Sequence, residues 1–118
     1  MASSSGDDGC VFCRIVAGEL PATVVHDGVR VLAFRDLAPV APTHVVVIPK
    51  AHHADVAALG AADPETLGEL AFVAGQVAAE AGTPSFRLVF NSGPDAGQSV
   101  GHVHGHVIAG RQLTWPPG

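Results

Sequence analysis

Three histidines recur at two-residue spacing near the C-terminus, in His102-Val103-His104-Gly105-His106-Val107-Ile108. Alternate side chains of an extended strand share a face. The spacing therefore predicts three imidazoles on one side and Val103, Gly105 and Val107 on the other. Near neutral pH an imidazole serves as nucleophile, general acid, general base or metal ligand. Two chemistries fit the triplet better than ordinary packing does. One is metal ligation, for which His-x-His on a strand is suitable geometry. The other is covalent catalysis by an imidazole nucleophile on phosphorus. No Asp or Glu follows His106, which removes the carboxylate that a strand-borne metal triad would add.

The segment before the triplet, Asn91-Ser-Gly-Pro-Asp-Ala-Gly97-Gln98-Ser99, is rich in small residues. Backbone N–H groups of such a loop can turn inward as an anion nest. Asn91, Gln98 and Ser99 add side-chain donors. A third element is Cys10-Val-Phe-Cys13. A Cys-x-x-Cys pair is either a redox dithiol or half of a zinc site. Two histidines would complete tetrahedral zinc, and His26, His44, His52 and His53 are candidates.

The elements that must position these groups are readable from pattern. Residues 1–9 are small and acidic and read as a flexible tail, without the basic and apolar regions of a signal peptide. Residues 11–17 suit a short helical turn, ended by Gly18 and Pro21. Asp27-Gly28 between residues 24–26 and 29–34 predicts a two-residue hairpin. Residues 44–48, His-Val-Val-Val-Ile, predict a central strand ended by Pro49. The spacing of Leu67, Leu70, Ala71, Ala74, Val77, Ala78 and Ala81 predicts a helix over 63–81, capped by Asp63 with Pro64 in its first turn. Phe72 and Val73 fall off that stripe, and either widen the core face or meet another subunit. Residues 86–90 predict a strand, 91–99 a loop, and the triplet a strand ending near Gly110. This order predicts an α+β fold with a mostly antiparallel sheet, in one domain.

Composition narrows the function. The chain has 118 residues, is 47% hydrophobic and carries a net charge of −5. Lys50 is the only lysine and the five arginines are scattered. A nucleic acid or an anionic membrane surface needs a basic patch, so neither is expected as a partner. No apolar run approaches the ~20 residues that cross a bilayer. A cytoplasmic protein with reduced cysteines is the expectation.

Taken together, the motifs resemble the histidine-triad (HIT) superfamily, whose signature alternates His with apolar residues. Further segments are similar to its branch of histidine-triad nucleotide-binding (HINT) proteins. These are Val11-Phe-Cys-Arg-Ile15, Gly18-Glu-Leu-Pro21, Ala33-Phe-Arg-Asp36, Ala41-Pro-Thr-His44, Val47-Ile-Pro-Lys50, Gly97-Gln-Ser-Val100, Gly110-Arg111 and Trp115-Pro-Pro-Gly118. The resemblance covers residues 10–118. It implies a HIT-like fold: a five-stranded antiparallel sheet with one long and one short helix, paired as a homodimer into a continuous sheet. Trp115 of one subunit would then approach the other subunit's site.

The resemblance also implies roles. His104 is the nucleophile on the α-phosphorus of a purine nucleoside phosphoramidate of the AMP type, forming a nucleotidyl-histidine that water hydrolyses. Ser99 and His106 hold phosphate oxygens and assist proton transfer, the carbonyl of His102 orients His104, and His44 supports the triad from behind. Asp36 accepts the ribose hydroxyls. Val11, Phe12, Ile15, Phe34 and Leu37 form the base pocket, and Asn91, Gly97, Gln98 and Ser99 lie on the phosphate and sugar side. Cys10, Cys13, His52 and His102 hold a structural zinc ion, with His53 as the competitor of His52. Hydrolysis of dinucleoside polyphosphates, and non-catalytic nucleotide binding, are the alternatives within the resemblance. Two positions depart from the family pattern. Gly105 stands where an apolar side chain is usual, implying a looser rear face or a close backbone approach. Gly101 stands where a larger residue is usual.

Overall fold

The structure is a computed structural model that describes residues 9–118. Of the tail expected over residues 1–9, all but Gly9 lies outside the described residues. Five antiparallel strands form one sheet in the order β1-β2-β3-β5-β4. They are β1 (Val24–Asp27), β2 (Val31–Arg35), β3 (Thr43–Pro49), β4 (Phe86–Phe90) and β5 (Gly105–Ala109). Strand β3 is buried along its whole length. Its β-branched run fits a strand covered on both faces. On one face Val45 and Val47 pack with Val31, Ala33, Val103 and Val107 under the long helix α3 (Pro64–Glu80). On the other, Val46 and Ile48 pack with Leu32 and Phe34 under the short helix α1 (Val11–Val16), which contributes Phe12 and Ile15.

Four local expectations are corrected. The hairpin is not closed at Asp27-Gly28: Asp27 belongs to β1, and the Gly28 N–H bonds to the Val31 carbonyl at 2.9 Å, so the loop is residues 28–30. The His26 ring lies over Gly28: a Cβ there would meet His26 Nε2 at 2.9 Å, so the ring would have to turn aside. A further helix, α2 (Val56–Ala62), precedes α3. Asp55 caps it by accepting from the Ala58 N–H at 2.9 Å, and Asp63 ends it while capping α3 through Thr66. The buried stripe of α3 is Thr66, Leu70, Val73, Ala74, Val77 and Ala78. Ala71 and Ala81 face out, and Val73 is core whereas Phe72 is 65% exposed.

The fourth correction concerns the histidine strand. Only His106 of the triplet lies inside β5. At Val103 the N–H bonds to the His53 carbonyl at 2.8 Å rather than joining the ladder. The alternation of faces survives: Val103 and Val107 join the α3-side core, while Phe12 of α1 meets the rings of both His102 and His104. Gly105 lets Leu88 and Phe90 of β4 approach, because a Cβ would meet both at 2.9 Å. The space behind the triad is therefore filled rather than loose.

Candidate active site and metal centre

The ring protons of the histidine cluster follow from their fixed partners. His44 Nδ1 lies 3.1 Å from the Val40 N–H, a pure donor, and so must accept. The His44 proton is then on Nε2, which lies 2.9 Å from His106 Nδ1 and donates to it. His106 accordingly carries its own proton on Nε2. His104 Nδ1 lies 2.9 Å from the His102 carbonyl, a pure acceptor, and so donates. This leaves an electron pair on His104 Nε2. His102 Nε2 lies 2.9 Å from the Pro49 carbonyl and donates, leaving a pair on Nδ1.

That Nδ1 faces two sulfurs, Cys10 Sγ at 3.3 Å and Cys13 Sγ at 3.5 Å. His52 Nδ1 lies 3.2 Å from Cys13 Sγ. The four donor atoms lie within 4.8 Å of one another. Ligands of tetrahedral zinc, at about 2.3 Å for sulfur and about 2.0 Å for nitrogen, stand about 3.5 Å apart. The soft donor set and its spacing thus fit structural zinc. The sequence folds this way because Cys10 is the N-cap of α1, its sulfur accepting from the Cys13 N–H at 3.3 Å. One turn of helix brings both sulfurs to the same side. His52 enters the cluster and His53 does not. His102 turns its ring to the sulfurs, away from the Asp36, His44 and His106 group, so the triplet does not converge on one metal. Within that second group the His44–His106 hydrogen bond already joins the two nitrogens an ion would need.

His104 and His106 form one wall of a cleft of about 260 Å³. Its apolar walls are Val11, Phe12 and Ile15 of α1 and Phe34 and Leu37 of β2 and its following turn. Leu37 is 97% exposed at the rim, an apolar side chain available to a ligand. Asp36 and Ser99 also line the cleft. Asp36 Oδ1 accepts from the Ala38 N–H at 2.8 Å, and Oδ2 is 3.5 Å from His44 Nε2. A carboxylate has about four acceptor positions, so hydroxyl groups can still be bound. Sequence reasoning missed Pro21, Ala22, Arg35, Val46 and Val100 in the lining. Val46 was findable, since it shares the face of His44 two residues on.

Asn91, Gly97 and Gln98 lie outside the cleft lining. The loop is not an anion nest at Gly97 and Gln98. A 3-10 turn, Pro94–Ala96, directs the Gly97 N–H to the Pro94 carbonyl and the Gln98 N–H to the Gly93 carbonyl. The Gln98 side chain ties the loop down, accepting from the Gly93 N–H at 2.8 Å and donating to the Ala54 and Val100 carbonyls at 2.7 and 2.9 Å.

Burial lowers the pKa of His102 to about 4, partly offset by its bond to Pro49. Burial likewise lowers that of His106, helped by His104 and His44 and opposed by the Asp36 carboxylate. Both rings are thereby held neutral where an ordinary histidine begins to charge.

A five-stranded antiparallel sheet thus carries an apolar cleft whose wall holds an imidazole with one nitrogen left without a proton. The chain belongs to the HIT domain family, whose profile matches residues 17–113. It is 44% identical over 116 residues to a "14 kDa zinc-binding protein" of Zea mays, covering 95% of this chain and 90% of that protein. It is 41% identical over 122 residues to "Adenylylsulfatase HINT1" of Arabidopsis thaliana, covering 100% and 82%. Among solved structures, a HIT family hydrolase from Legionella pneumophila superposes with a TM-score of 0.89 at 46% identity, covering 92% of this chain and 99% of that one.

Two expectations follow. Metal analysis of the purified protein gives about one zinc per chain, and Cys10→Ala loses it with a drop in Tm; full zinc content in that variant contradicts the assignment. For His106 the native pKa lies below the unfolded value of 6.5. As pH falls below 6.5 the unfolded state takes up the proton first, so stability present above that pH is lost on acidification. Thermal unfolding at pH 7.5 and 5.5 should show a smaller acid loss for His106→Asn than for the unaltered chain.

Proposed function

We propose that the protein hydrolyses purine nucleoside phosphoramidates of the AMP type through a nucleotidyl-histidine intermediate on His104. One observation carries the reading: the His104 Nδ1–H bond to the His102 carbonyl leaves Nε2 unprotonated in the wall of an apolar cleft. The purine occupies the slot between Phe12, Ile15, Phe34 and Leu37, and Asp36 accepts the ribose hydroxyls. This brings the α-phosphorus to His104, His106 and Ser99. His104 Nε2 attacks phosphorus, and the P–N bond to the leaving amine breaks. His106 Nε2–H and the Ser99 hydroxyl hold the developing charge on the phosphate oxygens and supply a proton path to the leaving nitrogen. Water then attacks the nucleotidyl-histidine, the His104–phosphorus bond breaks, and the nucleoside monophosphate leaves.

The His44 Nε2–H holds His106 in the tautomer that offers Nε2–H to the substrate. Zinc on Cys10, Cys13, His52 and His102 is structural, since protein atoms would fill all four positions. It anchors the ring of the residue whose carbonyl orients the nucleophile. The name of the Arabidopsis relative favours a second substrate, adenylyl sulfate, which shares the adenylyl group and differs in the leaving group.

We further infer a homodimer with a continuous sheet. Strand β4 is an open edge among the described residues, and Phe86 on it and Phe72 on α3 are exposed. A reducing, cytoplasmic setting suits the cysteine thiolates; among the described residues no helix is long and apolar enough to cross a membrane.

His104→Ala should abolish turnover of adenosine 5′-phosphoramidate while AMP affinity stays within about threefold. Steady-state hydrolysis and calorimetric AMP titration measure the two. Undiminished turnover in that variant contradicts the reading.

A further inference from the structure

The cleft lies on the α1 side of the sheet. On the α3 side a separate cavity of about 420 Å³ opens beside the C-terminus of α3, over the starts of β1 and β3 and the end of β2. Its size falls within the range of ligand sites, roughly 300–1,000 Å³. The floor is apolar: Val45 and Val77 belong to the buried core, and Val25 packs against it. Arg35 and Glu80 are the charged residues that line it. Arg35 follows Val31 and Ala33 in the alternation of β2, which sets its side chain on the α3 side. Among the described residues neither its guanidinium nor the Glu80 carboxylate forms an ion pair, with the other or with any third group.

Glu80 breaks a local rule. It is the last residue of α3, where the helix dipole is negative, and no basic residue stands in that turn. A carboxylate there adds to the negative field instead of offsetting it. The hydroxyl groups beside it extend the same preference. That of Thr83 lies 3.1 Å from that of Thr43 and 3.2 Å from the Ala78 carbonyl. Only the Thr83 proton can serve the carbonyl, so Thr43 supplies the proton between the two hydroxyls. The Thr43 oxygen, in the cavity wall, keeps both electron pairs for a donor.

We propose that this cavity binds a free α-amino acid with an apolar side chain. Its ammonium group meets Glu80, Thr43 and the end of α3. Its carboxylate meets Arg35, and its side chain rests on Val25, Val45 and Val77. A simple anion would face the Glu80 carboxylate, and a simple amine would leave Arg35 without a partner. A zwitterion answers both charges with charge-assisted hydrogen bonds. The site does not depend on the reaction proposed for the cleft.

The test titrates the full zinc-loaded chain with three probes that share one branched alkyl chain, read by ¹H–¹⁵N NMR of the backbone amides. L-leucine carries both charged groups, 3-methylbutylamine lacks the carboxylate, and 4-methylpentanoate lacks the ammonium. Leucine should shift the amides of Thr43, Val45, Ala81 and Thr83 saturably at about 10 mM or below. Each half-probe should bind about tenfold or more weakly. The variant is placed at Glu80 because Arg35 also borders the cleft. Glu80→Gln relieves the helix end, so it folds, and it should weaken leucine about tenfold without weakening 4-methylpentanoate. No saturable shift by about 10 mM leucine overturns the proposal. So do shifts confined to residues outside the cavity, an amine that binds as tightly as leucine, or unchanged leucine affinity in Glu80→Gln.

Discussion

The arrangement of the cleft depends on one hydrogen bond, from His104 Nδ1–H to the main-chain carbonyl of His102 at 2.9 Å. Imidazole has two nitrogens, and a proton on Nε2 would remove the electron pair that His104 offers to the cleft. The carbonyl cannot donate, so it fixes the proton on Nδ1. What holds the carbonyl in place is the remainder of His102. Its ring donates to the Pro49 carbonyl from one edge and meets Cys10 and Cys13 with the other. A single residue thus links the metal centre, the end of β3 and His104.

The same logic runs through the other half of the site. His44 lies on β3 and His106 on the neighbouring β5, where Val46 pairs with His106. The Val40 N–H fixes His44, and His44 fixes His106. Each imidazole in the cleft therefore receives its tautomer from the backbone, directly or through one intermediary. A buried polar chain of this kind is costly when a member lacks a partner. Among the described residues no buried side-chain nitrogen or oxygen lacks a hydrogen bond. The sheet supplies the rigidity: β3 is buried along its whole length, so the His44 ring it carries is held by packing as well as by hydrogen bonds.

Much of this was legible in the sequence because the informative residues carry local rules. The run at residues 44–48 has a β-branched pattern that only a central strand satisfies. Asp63-Pro64 marks a helix start on its own. The Cys-x-x-Cys pair and surplus histidines announce a metal site, and the alternating triad announces the cleft. What was not legible depended on tertiary choices. Leaving the β5 ladder before His104 follows from the Val103 N–H finding the His53 carbonyl, a contact across half the chain. The rotation of the α3 stripe reflects which of two apolar faces met the sheet, and an alanine-rich helix leaves that nearly open. Helix α2 lacks a strong apolar period, and only its Asp55 cap marks it. Gln98 reads as a phosphate donor by type, yet it holds the loop to Ala54 and Val100. Choosing His52 over His53 required knowing where Cys13 lies.

The chemistry proposed for the cleft turns on where one proton sits. Long-range ¹H–¹⁵N NMR of the imidazoles in the zinc-loaded protein at neutral pH reads it directly. The expected result is His104 as the Nδ1–H tautomer, with its Nε2 resonance that of an unprotonated nitrogen. Finding His104 as the Nε2–H tautomer would contradict it, because the nitrogen facing the cleft would then have no electron pair with which to attack phosphorus.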